Sequence, residues 1–247
     1  SFRFMFHFDA TAISSGVILS AMGHSFFTLS LGMGAIMTYG SYLDRSTSIP
    51  RTCLYIAAAD TAVALIAGLS IFAIVFAQGL EPAAGPGLIL QTLPLAFSHM
   101  PMGQAVGVMF FVLLAFAAWT SSISLMEPPS AFLIERFGFS RPLAVISVGL
   151  VAWLLGIAVA LSFNDWSAFT IFGLSIFDFL DSLTTKFMMP LAGILIAIFA
   201  GWVMKRAHVE DEIAMSAGYF QLWFNVLRYV VPVAIVLIFL NVIGLIG

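Results

Sequence analysis

Charged side chains are scarce in this sequence. Lys and Arg number 9 and Asp and Glu number 12 among 247 residues, or 9% of the chain, against about 25% in soluble domains. Hydrophobic residues make up 62% of the chain, which excludes an ordinary water-facing surface. The net charge of -3 and the lack of a basic tract also exclude a nucleic-acid partner. The composition is typical of a membrane protein that crosses the bilayer several times.

The sequence also lacks two features of secreted proteins. Cys53 is the only cysteine, so no disulfide forms within the chain. Residues Ser1–Phe8 do not show the basic, apolar and small-residue order of a signal peptide. We therefore expect residues 1–247 to form a single transmembrane domain that is the C-terminal part of a longer protein. The upstream helices of that protein are absent from this chain.

Long apolar runs, separated by Pro, Gly and charged residues, predict an all-α fold with about six membrane spans. Helices are expected because lipid offers no water to backbone groups, and the two-residue alternation of a β-barrel is absent. The predicted spans are Ala12–Leu43, Thr52–Phe76, Gly103–Glu135, Pro142–Phe163, Phe177–Val203 and Phe220–Ile246. The connection Gln78–Met102 carries Glu81 and four prolines, so we expect it outside the membrane, with short helices of its own.

Positive side chains predict the orientation, because loops rich in Lys and Arg remain in the cytoplasm. The cationic residues that follow the first, third and fifth spans are Arg45, Arg51, Arg136, Arg141, Lys205 and Arg206. The loops after the second and fourth spans hold none. Both ends of the chain are therefore predicted to lie on the outer side of a cell membrane. The bacterial inner membrane is the expected membrane. Arg228, near the inner end of the last span, is within reach of lipid headgroups.

The first span contains polar and flexible residues where lipid favours Leu and Ile. The stretch Gly23–Gly34 holds a histidine, three hydroxyl side chains and three glycines. A glycine costs about 1 kcal/mol relative to alanine inside a helix, so Gly32 and Gly34 predict an opened turn. Such a break is tolerated at mid-membrane only around a polar cavity. The alternative is close packing of small residues, with the hydroxyls bonded to the preceding turn.

Two further polar features indicate cation binding within the bilayer. Asp60 lies in the second span with no Lys or Arg of that span to pair with, so a cation or a proton is its expected partner. In the third span, Trp119–Ser124 places four hydroxyls within five residues, and hard cations such as Na⁺ prefer several oxygen ligands. The alternatives are a structural hydrogen bond for Asp60 and polar contacts between helices for the hydroxyls.

Three stretches closely resemble the neurotransmitter:sodium symporter family. Phe26–Ile36, continuing to Tyr39–Tyr42, is similar to the broken sixth helix of that family, and Thr120–Pro128 is similar to its eighth helix. Gly85–Gly87 with Leu93–Pro94 resembles the external loop between its helices seven and eight. The resemblance covers family helices six to eleven in order. It implies the second part of an inverted-repeat symporter, with a binding site near the bilayer midplane.

The resemblance implies two sodium sites, each completed by helices absent from this chain. Thr28 matches a ligand of the first sodium ion, and Asp60 falls where the family has an Asn or Asp ligand of the same ion. Ala117, through its backbone carbonyl, matches a ligand of the second ion. Thr120 and Ser121 match ligands of that second ion through their hydroxyls.

Substrate and gate residues follow from the same resemblance. The positions that match the lining of the substrate pocket are Phe27, Thr28, Ser30, Met33, Ser121 and Leu125. Phe27 would be the lid above the substrate. Asp181 matches the outer-gate carboxylate, whereas Glu135 and Tyr42 match the inner gate.

Two departures from the family pattern argue against a chloride site. His24 stands where chloride-dependent members carry a Gln, and Ala64 stands where they carry a Ser. Asp60 adds a fixed negative charge nearby, which disfavours a bound anion. Transport without chloride is therefore the expectation.

The expected function is sodium-driven symport of a small neutral or hydrophobic amino acid by alternating access, not an enzymatic reaction. The alternative that stays open is a non-transporting membrane subunit, or the remnant of a truncated or split transporter gene. An intramembrane aspartyl protease is set aside, because its chemistry needs two carboxylates that share a proton. Asp60 is the only carboxylate predicted to lie deep in a span.

Overall fold

A computed structural model describes residues 2–81, 85 and 87–245 of the chain. The helices are α1 (Phe2–Phe6), α2 (Ser15–Thr28), α3 (Ala35–Gly40), α4 (Ile49–Ala77), α5 (Leu88–Ser98), α6 (Gly103–Phe137), α7 (Arg141–Ser162), α8 (Ile176–Val203), α9 (Arg206–Ile213) and α10 (Ala217–Val242). Ile171 and Leu174 form an isolated bridge, and the part of the chain that the structure describes contains no β-strand. The predicted all-α class is confirmed.

Among the described residues, five helices are long and apolar enough to cross a membrane: α4, α6, α7, α8 and α10. They correspond to the last five predicted spans, with ends that differ by a few residues. The last predicted span, Phe220–Ile246, begins earlier in the structure, at Ala217, and its helix ends at Val242; Ile246 lies outside the described residues. The first predicted span consists of two helices, α2 and α3, separated by Leu29–Gly34.

The predicted external connection contains a helix of its own, as expected. This helix, α5, begins with a π-helical turn over Leu88–Thr92 and continues as α-helix over Leu93–Ser98. Pro82, Ala83, Ala84 and Pro86 of the same connection lie outside the described residues.

The chain divides into two compact units. The first unit comprises Ser1–Ala12 and Leu54–Ile123. Its buried core consists of Val75 from α4 together with Leu93 and Phe97 from α5. Gly103, the first residue of α6, lies against the backbone of Phe97, and a Cβ atom there would overlap the Phe97 carbonyl. Glycine is therefore required where α6 follows α5 so closely.

In the second unit, α2, α8 and α10 pack together. This unit comprises Ile13–Cys53 and Ser124–Gly247. Glycines allow the close approach: Gly23 of α2 faces Ile238 of α10, and Gly193 of α8 lies against Phe26 and Ile235. Small residues at helix contacts are the usual means by which membrane helices pack closely. This packing fixes the end of α2, where the candidate site begins.

Candidate functional site

The break between α2 and α3 lies within the first predicted span. Three of its residues adopt left-handed backbone conformations: Ser30 with φ 54°, Gly32 with φ 80° and Gly34 with φ 84°. Gly32 has a second constraint, because a Cβ atom there would overlap the carbonyl oxygen of Met189 in α8. The prediction that Gly32 and Gly34 open the helix is confirmed.

Helix α2 ends in a Schellman motif, a feature that the sequence analysis missed. The Leu31 N–H donates to the Phe26 carbonyl at 3.0 Å, and the Ser30 N–H donates to the Phe27 carbonyl at 2.9 Å. This pair of bonds closes a helix when the residue after its C-cap is left-handed. Glycine usually occupies that place, so the serine gave no signal in the sequence. The helix therefore ends because of Ser30, before the first glycine of the break is reached.

The break leaves backbone oxygens of α2 without helical partners. Within the described chain, no backbone N–H donates to the carbonyl of Thr28 or of Leu29. The Thr28 hydroxyl donates only a long hydrogen bond, 3.4 Å, to the Ser25 carbonyl. Inside a membrane, unpaired carbonyls are stable only when they line a cavity that holds polar groups, water or ions. The break is thus a concentrated source of oxygen ligands.

Most of the predicted pocket residues lie at this break. Phe27 and Thr28 are the last residues of α2, and Ser30 and Met33 belong to the break itself. Phe27 is 47% exposed. Leu125 projects from α6 and is 48% exposed. The roles of these residues in substrate binding stay predictions.

The predicted ligands of the second sodium ion lie on one turn of α6. The Thr120 hydroxyl donates to the Ala117 carbonyl at 3.0 Å, so two of the predicted ligand oxygens are in contact. The Ser122 hydroxyl is engaged by its own helix, through a 2.8 Å bond to the Ala118 carbonyl. The Ser121 hydroxyl forms no hydrogen bond with any residue that the structure describes. Ser121 and Ser122 therefore differ in their hydrogen bonding within the described chain.

Asp60 is half-buried in α4. Its carboxylate has no hydrogen bond or ion pair with the residues described here. The neighbouring Thr61 hydroxyl donates to the Ala57 carbonyl at 2.9 Å and so does not donate to the Asp60 carboxylate. A carboxylate costs about 2.5–3.5 kcal/mol at the centre of a membrane helix, and a cation or a proton as the partner of Asp60 stays a prediction. The alternative of a structural hydrogen bond finds no support in the described chain.

Beyond α3, three polar side chains form a cluster that we call the Glu127 cluster: Tyr42, Glu127 and Arg141. The Tyr42 hydroxyl donates to a Glu127 carboxylate oxygen at 2.9 Å. Arg141 donates to both oxygens of that carboxylate, at 3.0 and 3.2 Å. The Glu127 side chain is only 12% exposed, whereas that of Arg141 is 65% exposed. The cluster ties the segment after α3 to the α6–α7 corner.

The family resemblance assigns Tyr42 and Glu135 to the inner gate but does not assign Glu127. Glu135 lies farther along α6 and forms no hydrogen bond or ion pair within the described residues. Tyr42 contacts Glu127 instead. A signal for Glu127 was present, since it is a carboxylate inside the predicted third span and precedes Pro128. The inner-gate role of Tyr42 and Glu135 stays a prediction.

Two carboxylates near the start of α8 have different surroundings. Asp178 belongs to the helix cap: the Ser175 hydroxyl donates to its carboxylate at 2.7 Å and accepts from its backbone N–H at 3.1 Å. The Asp181 carboxylate is exposed and has no partner in the described part of the chain, although its carbonyl accepts the Thr185 hydroxyl at 2.6 Å. Asp181, the predicted outer-gate residue, is therefore the carboxylate that is available to a partner.

The family model of the sodium:neurotransmitter symporter family matches residues 1–246. The chain belongs to this family. An uncharacterized sodium-dependent transporter of Haemophilus influenzae is 36% identical over 235 residues, which are 94% of this chain and 51% of that protein. The sodium-dependent transporter YhdH of Bacillus subtilis, also uncharacterized, is 36% identical over 234 residues, or 93% of this chain and 52% of its own length. A sodium- and chloride-dependent taurine transporter of Bos taurus is 24% identical over 209 residues.

A solved structure, that of MhsT, has a similar fold. The crystal structure of MhsT in complex with L-phenylalanine superposes with a TM-score of 0.87 at 42% sequence identity, covering 98% of this chain and 55% of MhsT. The all-α polytopic fold of a symporter is thereby confirmed. The chain spans about half the length of the curated relatives it matches.

Proposed function

We propose that the complete protein is a sodium-coupled symporter of a small neutral or hydrophobic amino acid that works by alternating access. The observation that carries the proposal is the break between α2 and α3, which leaves the carbonyls of Thr28 and Leu29 without helical donors inside a predicted span. Broken helices with such free backbone groups form midplane binding sites in secondary transporters. MhsT, of similar fold, was solved with L-phenylalanine, an amino acid of the proposed class.

The proposed substrate pocket combines backbone oxygens with apolar side chains. The carbonyls of Thr28 and Leu29 accept hydrogen bonds from the ammonium group of an amino acid. Phe27, Met33 and Leu125 supply apolar surface for its side chain. A charged substrate side chain would be buried there without a partner, and burying an unpaired charge is strongly unfavourable. Ser30 and Ser121 complete the lining from this chain.

In this proposal, sodium ions are transported together with the amino acid. The Thr28 hydroxyl and the Asp60 carboxylate contribute to one ion site. The Ala117 carbonyl and the hydroxyls of Thr120 and Ser121 contribute to the other. The contact between Thr120 and Ala117, and the available hydroxyl of Ser121, support this second set because hard cations prefer such oxygens. Helices outside this chain complete both sites.

The gates follow from the proposed orientation, in which the cationic loops lie in the cytoplasm. The exposed carboxylate of Asp181 is the outer gate. Tyr42 and Glu135 belong to the inner gate, and the Glu127 cluster holds Tyr42 while the inner side is closed. Inward opening breaks this contact, and outward opening separates Asp181 from the arginine that the family resemblance places in a helix outside this chain. The two ends of the chain lie outside.

Uptake by the complete transporter in vesicles tests the proposal. With an inward Na⁺ gradient, labelled phenylalanine or leucine should accumulate above the external concentration, and an equal K⁺ gradient should give none. Excess unlabelled hydrophobic amino acids should compete, whereas aspartate and lysine should not. Uptake that ignores the Na⁺ gradient, or no uptake of any neutral amino acid, would contradict the function.

A further inference from the structure

Arg228 occupies an unusual position where α8 and α10 meet. It lies in a π-helical turn of α10, Val226–Val230, which contacts the π-helical turn Phe199–Val203 at the end of α8. A Cβ atom at Gly201 would lie 3.2 Å from the Arg228 Cα, so the two helices approach closely here. Lys205 follows directly after α8 in a loop predicted to be cytoplasmic. Arg228 is therefore at the level of the inner membrane–water interface.

Two aromatic rings orient the Arg228 guanidinium group. Its central carbon lies 5.3 Å from the ring centre of Trp202 and 5.7 Å from that of Tyr229. The two rings are nearly perpendicular, at 87°, with their centres 6.0 Å apart. Cation–π contacts of this kind hold a guanidinium in place without neutralising its charge. Trp and Tyr are also the residues that concentrate at membrane interfaces.

The positive charge of Arg228 has no counter-charge in the described chain. No carboxylate lies within 4.0 Å of it there, and its half-buried side chain has a buried Nε without a hydrogen-bond acceptor. Two other arginines of the same unit do have acidic partners: Arg141 pairs with Glu127 at 3.0 Å, and Arg206 lies 4.0 Å from Glu210. The terminal amino groups of Arg228 therefore remain available to an anion.

The surface around Arg228 is apolar and open. Val203 is 64% exposed, Val230 is 57% exposed and Tyr229 is 58% exposed. Exposed valines beside a cation at the interface suit the acyl chains of a lipid whose headgroup meets the cation. A free anion in water would gain nothing from them. Arginine matches phosphate especially well, because its forked donors bind two oxygens at once.

We propose that Arg228, held by Trp202 and Tyr229, binds the phosphate group of an anionic phospholipid in the inner leaflet. This site is separate from the predicted substrate and sodium residues, none of which lies among the residues that form it. The bound headgroup neutralises the arginine at the junction of α8 and α10. The acyl chains lie along Val203 and Val230.

Lipid retention by the complete transporter tests the site. The purified protein is equilibrated with a mixture of phosphatidylethanolamine and phosphatidylglycerol, and the retained lipids are counted by native mass spectrometry. The wild-type protein should retain phosphatidylglycerol in preference to phosphatidylethanolamine. Arg228→Gln should reduce that retention about fivefold, because it removes the guanidinium that binds the headgroup phosphate. Arg51→Gln, which removes an exposed arginine at the start of α4, is the matched control and should leave retention unchanged.

Arg228→Lys keeps the charge and so protects the fold if Arg228→Gln fails to fold. Lysine lacks the planar fork, so retention should fall about twofold. Retention equal to wild type in whichever variant folds would overturn the proposal, as would a wild type without preference for phosphatidylglycerol. Excess inorganic phosphate should not displace the lipid. Displacement by phosphate would overturn the lipid assignment in favour of a free-anion site.

Discussion

The hydroxyl of Tyr42 donates a 2.9 Å hydrogen bond to Glu127, a residue 85 positions later in the chain. The same carboxylate accepts two hydrogen bonds from Arg141. Because Tyr42 follows the short helix after the break, this bond connects the second half of a broken helix to α6. It is the contact on which closure of the inner side depends in the proposed transport cycle.

Tyr42→Phe removes that hydrogen bond and leaves the ring in place. We expect the state with a closed inner side to lose about 1 kcal/mol of stability relative to the inward-open state, because the bond has a charged acceptor but is partly exposed. The population then shifts towards the inward-open state, and a higher Na⁺ concentration is needed to restore the state with a closed inner side. The Na⁺ concentration for half-maximal uptake should rise about fivefold. Tyr55→Phe, at an exposed tyrosine of α4, is the control, and an equal effect there would contradict the assignment.

Thr120→Ala and Ser121→Ala should each weaken Na⁺ activation of uptake in the complete transporter. Each removes a neutral oxygen from the proposed ion site, a loss of about 1–3 kcal/mol for a buried contact. Ser122→Ala is the control, because on an ideal helix the Ser122 side chain points about 100° away from that of Ser121. Na⁺ titration of uptake measures the effect. A sensitive Ser122 beside a silent Ser121 would show that the ion lies on another face of α6.

Gly32→Ala should impair both folding and transport. The backbone is left-handed at this residue, and the added methyl group would overlap the Met189 carbonyl. Strain of this kind costs about 1–3 kcal/mol, which should lower the midpoint of thermal unfolding in detergent. Gly156→Ala in α7 is the control, since a Cβ atom there meets nothing within 4 Å. A Gly32→Ala protein of wild-type stability and activity would refute the geometry of the break.

Asp178 and Asp181 should separate in their effects, although both begin the same helix. Asp178→Asn disturbs the cap with Ser175 and should lower the free energy of unfolding by about 0.5–1 kcal/mol while uptake continues. Asp181→Asn should leave stability unchanged and reduce uptake, because it removes the proposed outer-gate charge. Thermal unfolding and uptake of the two variants are compared side by side. Lower stability in Asp181→Asn together with lower uptake in Asp178→Asn would contradict these assignments.

Transport should not need chloride. Asp60 supplies a fixed negative charge near the proposed first sodium ion, and Ala64 offers no hydroxyl to an anion. Replacing chloride by gluconate should leave wild-type uptake unchanged, whereas Asp60→Asn should lose most of its uptake. Asp165→Asn, at an exposed carboxylate, is the control. A wild type that stops without chloride would refute this prediction.

Several elements of the site were predictable because local chemistry determines them. Gly32 and Gly34 predicted the break, since glycine is unfavourable inside a helix unless the backbone must leave it. The hydroxyls of Thr120 to Ser124 and the isolated carboxylate of Asp60 predicted oxygen ligands, because lipid otherwise excludes such groups. The left-handed Ser30 that closes α2 was not predictable, since serine adopts this conformation only when its surroundings impose it.

The sequence by itself determined that this chain is a bundle of membrane helices, because apolar runs of that length with so few charges fit only a bilayer. It also located the polar residues within the spans. Only the tertiary structure decided which of them meet: Tyr42 with Glu127, Gly32 with Met189, and Arg228 with Trp202. Such pairs join distant parts of the chain, and their meeting depends on how helices cross and rotate. No local pattern of residues encodes that geometry.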